Sequence, residues 1–167
     1  RTSTAAMAPE LVAAFGITPT AVGFIGSMYF YAYALGQLPA GILADRWGAR
    51  KTLSLFVMLA GLGAIFLGQA NNYGTVLAAR FLVGLGSGFV FVSATRILSD
   101  WFKRNEFATY CGILTAIGNI GSLASTAPMI ALMAFIGWRG AMTTVGLSSL
   151  VIAILLCLIV RNKPYEI

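Results

Sequence analysis

The 167-residue sequence has no histidine, two cysteines and only five acidic residues. Without histidine, and with Cys111 and Cys157 isolated among apolar residues, metal-ligand clusters and thiol redox pairs have no raw material. The two cysteines are expected to be packing residues. A base and nucleophile held together inside a membrane are missing from the same inventory, so the chain reads as neither an enzyme nor a holder of metal or cofactor. Charge of either sign is scarce, at 10% of residues, against about 25% in an ordinary soluble domain.

What the chain has instead is apolar length. Residues 11–44, 52–79, 107–138 and 140–160 contain no Asp, Glu, Lys or Arg. A bilayer core about 30 Å thick takes roughly 20 helical residues per crossing. Spans are therefore expected near 20–42, 52–70, 75–99, 109–133 and 140–160. Residues 1–14 are too short for a full crossing and are read as the distal part of a truncated first helix. Pro9 and Glu10 interrupt the continuous apolar stretch that a secretory signal peptide would need. The expected fold class is an all-α membrane protein embedded in the lipid bilayer. One transmembrane bundle covers 1–160, and 161–167 begin a cytoplasmic linker.

The net charge of +6 would suggest nucleic acid in a soluble protein, but here it follows membrane orientation. Arg46, Arg50, Lys51, Lys103, Arg104, Arg161 and Lys163 fall in loops on one side, and Arg139 alone falls on the other. Positive charge marks the cytoplasmic side, which places the carboxyl terminus inside. Residues 71–74 (NNYG) and 137–140 (GWRG) then read as external turns. Trp47, Tyr73, Trp101 and Trp138 lie beside these loops, at the depth amphipathic aromatics favour.

Inside the spans, the polar residues fall on faces. An intramembrane arginine is costly and is expected to face a cavity or a partner, so Arg80 is a candidate binding residue. At 100° per residue, Arg80, Gly84, Ser87, Phe91 and Thr95 share one face of their helix. Arg96 lies about 160° around from Arg80 and is expected to snorkel to the cytoplasmic surface. Thr115, Asn119, Ser122 and Thr126 recur at intervals of four, three and four, a polar stripe fitting either a solute path or contacts between helices. Tyr29, Tyr33 and Gln37 make a similar stripe, fitting either a path lining or aromatic packing.

The most specific signal is residues 41–51, GILADRWGARK. It resembles the loop motif G-x-x-x-D-R-x-G-x-R-K of the major facilitator superfamily. Gly41 is expected to allow close helix approach, Gly48 to make a tight turn and Asp45 to pair with a cation or a helix amino terminus. Arg50 needs an anion, for which Asp100 in the other cytoplasmic loop is the candidate. Together with Arg46 and Lys51, these residues are read as a latch that holds two helix ends in one conformational state.

Residues 80–88, RFLVGLGSG, are similar to the family pattern R-x-x-x-G-x-G-x-G. Residues 8–11 (APEL), 33–41 (YALGQLPAG), 95–102 (TRILSDWF) and 137–139 (GWR) bring the likeness closest to the anion:cation symporter branch, which carries organic anions. The resemblance covers nearly the whole chain. It implies a six-helix bundle of two inverted three-helix repeats, forming the amino-terminal half of a twelve-helix transporter whose carboxyl-terminal half is a further partner. Pro39 before Trp47-Gly48 on one side and Pro128 before Trp138 on the other faintly echo such a repeat.

The implied activity is secondary transport of a small organic anion by alternating access, with a proton or sodium ion as a coupling partner. The implied location is a bacterial inner membrane. Arg1 inherits the branch's first-span anion-binding role, beside Arg80, Tyr29, Tyr33 and Asn119. An exchanger of phosphate esters for phosphate and a six-helix scaffold without substrate are the alternatives. Two departures bear on proton coupling: Ser87 stands where the branch often has a carboxylate, and the acid that often precedes the first-span arginine would lie before Arg1. Residues 118–122 read GNIGS rather than the G-P-x-x-G signature of drug and proton antiporters, which makes multidrug export the less expected activity.

Overall fold

The computed structural model describes residues 3–161, with side chains from Met7 onward. Among these residues it forms helices and no strand: α1 (Ser3–Phe15), α2 (Pro19–Trp47), α3 (Ala49–Gly68), α4 (Tyr73–Trp101), α5 (Arg104–Ala124) and α6 (Thr126–Ile159).

Local chemistry sets the ends. The Thr18 hydroxyl caps α2 by accepting from the Ala21 N–H at 3.3 Å, and Pro19 sits at the helix start, where its missing N–H is no loss. Asn72 caps α4 reciprocally: its Oδ1 accepts from the Thr75 N–H at 2.9 Å, and Thr75 Oγ1 accepts from the Asn72 N–H at 3.3 Å. The turn expected at 71–74 is therefore the capped start of α4. Gly48, at φ +86°, is the whole connection between α2 and α3. Most of residues 41–51 is thus helical, where a loop was expected.

Among the described residues, three helical stretches are long and apolar enough to cross a membrane: Ala49–Gly68, Tyr73–Trp101 and Arg104–Ile159. α2 has the length but not the hydropathy, because Tyr29, Tyr31, Tyr33 and Gln37 interrupt its apolar residues. Drawn straight at 1.5 Å per residue, the last stretch would reach about 84 Å, and it bends at Gly137 instead. Near Ser125 the backbone keeps helical angles, with φ -75° and ψ -15°, while Pro128 has no N–H to offer the Ala124 carbonyl, so α5 and α6 meet there at a missing hydrogen bond. At Gly137 the backbone turns to φ 71°, ψ 167°, which a side chain would strongly disfavour, within the expected turn at 137–140.

The helices meet at glycines. Gly84 and Gly88, four residues apart, present one face of α4 to the backbone of Tyr29 and Tyr33, and a Cβ on Gly88 would stand 2.5 Å from the Tyr33 carbonyl oxygen. Gly86 points to the other side, where a Cβ would stand 2.6 Å from the Phe56 carbonyl oxygen of α3. α3 and α6 cross at Gly61 and Gly146. Gly41, expected to permit such an approach, faces open space among the described residues.

A core of Met7, Leu11, Ile25, Leu67, Val76 and Trp138 joins α1, the α3–α4 turn and the Gly137 bend. Arg139 clamps that end. Its guanidinium donates to the Ala70 carbonyl at 3.1 Å and lies 4.5 Å from the Trp138 ring centroid and 5.8 Å from that of Phe15.

Candidate functional site

A cavity of about 990 Å³ opens between α2, α3, α4, α5 and α6. That volume lies at the upper end of the ordinary small-molecule range of roughly 300–1,000 Å³. α4 contributes Arg80, Ser87 and Phe91 to the wall, three of the five residues expected on one face. Gly84 is turned onto α2, and Thr95, about 60° and four turns from Arg80, is not among the lining residues. Arg80 is 3% exposed and is the one charged residue among the described residues that line the cavity.

Facing it, α2 supplies Tyr29 and Tyr33, whose rings stack with centroids 6.1 Å apart. Gln37 does not line the cavity, because a four-residue interval drifts about 40° per step around the helix. The whole stripe Thr115, Asn119, Ser122 and Thr126 does line it. The Thr115 hydroxyl donates to the Cys111 carbonyl at 2.9 Å and Thr126 to the Ser122 carbonyl at 3.2 Å. With their protons engaged, these oxygens offer lone pairs to the cavity. Four of the five candidate binding residues therefore surround one space, and the fifth, Arg1, lies outside the described residues.

The second candidate cluster sits at the α2–α3 corner. Arg96 Nε reaches Asp45 Oδ1 at 3.1 Å, and an Arg96 Nη reaches Asp100 Oδ1 at 3.7 Å. Arg50 donates from Nε to the Cys157 carbonyl at 2.8 Å, and a second guanidinium nitrogen reaches the same oxygen. Asp100 faces Arg96, which stands one helical turn away on α4. Arg50 ties α3 to α6. Arg96, expected only to snorkel, is the link that sequence spacing missed. Its i,i+4 relation to Asp100 was the available signal.

Residues 1–166 match the family described as Major Facilitator Superfamily. The chain belongs to that superfamily. Its similar proteins include the probable L-galactonate transporter of Escherichia coli, 29% identical over 90% of this chain and 33% of the relative. The probable sulfoacetate transporter of Cupriavidus necator is 27% identical over 98% of this chain and 38% of its own length. A membrane sensor protein of Salmonella typhimurium is 25% identical over the whole chain and 38% of its own length. The chain thus spans a little over a third of the curated relatives it matches. Superfamily members are integral membrane proteins, in keeping with the three apolar helical stretches.

Proposed function

We propose that this chain is the amino-terminal six-helix bundle of a secondary transporter that carries a small organic anion by alternating access. The observation that supports the reading is the cavity itself: a buried guanidinium, Arg80, the one charged group among the described lining residues, in a wall of tyrosines, hydroxyls, an amide and apolar groups. A cation held in low dielectric attracts an anion and repels a cation, and tyrosine and asparagine add neutral hydrogen-bond donors. Galactonate and sulfoacetate, named for two relatives, are anions of the required sign and of a size that such a cavity holds.

In this reading residues 104–136 and 138–159 are two crossings joined at Gly137. Two inverted three-helix repeats form the bundle, and the carboxyl terminus faces the cytoplasm, as the seven-to-one distribution of loop cations favours. The bundle rocks against a second bundle around the cavity, and the Asp45–Arg96–Asp100 cluster latches one of the two states. The test is uptake by the complete protein in proteoliposomes with a panel of solutes. Carboxylates and sulfonates are expected to be carried and organic cations refused; uptake of cations in preference to anions would refute the reading.

A further inference from the structure

A second groove, of about 730 Å³, lies between α3 and α6 and shares no residue with the cavity that holds Arg80. On α3 its wall is Lys51, Ser54, Leu55 and Met58, at intervals of three, one and three, which is one helix face. On α6 it is Ala153, Ile154 and Cys157, and Arg46 and Trp47 of α2 complete its mouth.

The groove has a built polarity. Arg46 and Lys51 stand at one end and make no ion pair among the described residues. Going down α3, the wall changes from Lys51 through Ser54 to Leu55 and Met58 over about 10 Å. Ser54 is 8% exposed, and its hydroxyl oxygen is buried without a hydrogen-bond partner, so this wall holds an unsatisfied polar group. Farther along, Gly61 and Gly146 bring α3 and α6 into backbone contact and close the groove. Arg50 on the Cys157 carbonyl holds the two helices together at its open end. Trp47, more than half exposed, stands beside the cations at interfacial depth.

Two cations above an apolar slot match one chemistry, an anionic headgroup carried on acyl chains. We infer that this groove is a binding site for an anionic glycerophospholipid. Arg46 and Lys51 hold the phosphodiester, and the face from Leu55 to Met58 with Ile154 takes the upper acyl chain.

The test uses the complete protein, purified and delipidated, with phosphatidylglycerol, phosphatidylcholine or soluble glycerol phosphate added, and native mass spectrometry to count bound lipid. Phosphatidylglycerol is expected to bind in preference to phosphatidylcholine, and glycerol phosphate not to compete. The double variant Arg46→Gln, Lys51→Gln is expected to weaken phosphatidylglycerol roughly 5- to 30-fold, the effect of one to two basic contacts. Lys103→Gln, a cation outside the groove, should leave it unchanged. Met58→Trp, which fills the slot and keeps both cations, should also displace the lipid, and serves if the double variant does not fold. Equal binding of the two lipids, competition by glycerol phosphate, or full retention in the double or Met58→Trp variant would overturn the assignment. Met58 belongs neither to the cavity nor to the motif at residues 41–51, so Met58→Trp is the variant in which loss of lipid binding and loss of anion transport are separable outcomes.

Discussion

Arg96 reaches across from α4 to Asp45 at 3.1 Å, joining two residues fifty-one positions apart where α2 ends beside Gly48. Both side chains are largely exposed, and pairs of that kind contribute only about 0.2–1 kcal/mol to stability. An arrangement that stabilises so little and yet joins helix ends at a one-residue turn suits a latch better than a strut.

The latch predicts a split between folding and activity. Asp45→Asn or Arg96→Gln should shift the unfolding midpoint little while lowering transport by up to about fivefold, the effect of removing a conformational bias of at most ~1 kcal/mol. The exchanged pair Asp45→Arg, Arg96→Asp should recover part of the loss. Thermal unfolding and uptake, measured on the same preparations, check both; parallel losses in the two would assign the pair to folding alone.

The glycine contacts predict a contrast within one helix bundle. Gly88→Ala places a methyl group 2.5 Å from the Tyr33 carbonyl oxygen and should destabilise by roughly 1–3 kcal/mol, as overpacking does. Gly112→Ala meets no atom within 4 Å and should leave the unfolding midpoint unchanged or raise it. Denaturation of the purified protein in detergent reads the difference.

The Arg139 clamp predicts that a lysine will not replace it. Arg139→Lys keeps the charge but loses the planar group that lies against Trp138 while donating to Ala70. It should destabilise by about 1–2 kcal/mol, close to the effect of Arg139→Gln, in thermal unfolding.

Much of this architecture is legible in the sequence because its causes are local. Charge-free runs of helical length, Asn72 before a helix, and glycines at 48 and 137 each act within a few residues. The Thr115–Thr126 stripe shows its face because intervals of four, three and four follow the helix turn closely, whereas Tyr29, Tyr33 and Gln37 drift off theirs. What the sequence could not show is choice among distant partners. Asp45 pairs with Arg96, fifty-one positions away on another helix, and which cation reaches it depends on where α4 lies relative to α2. The missing hydrogen bond between α5 and α6 was open to reading, since Pro128 is visible in the sequence, yet the apolar run around it draws the eye past it.

Arg80 is proposed to make the cavity a binding site for an anion, and equilibrium binding tests this role without waiting on transport. Isothermal titration of the complete purified protein with small carboxylates and sulfonates should show at least one that binds. Arg80→Gln should weaken that ligand about 100-fold or more, the loss of a charge-assisted contact of roughly 3 kcal/mol, while Lys103→Gln leaves it intact. Undiminished anion binding in a folded Arg80→Gln protein would contradict the account.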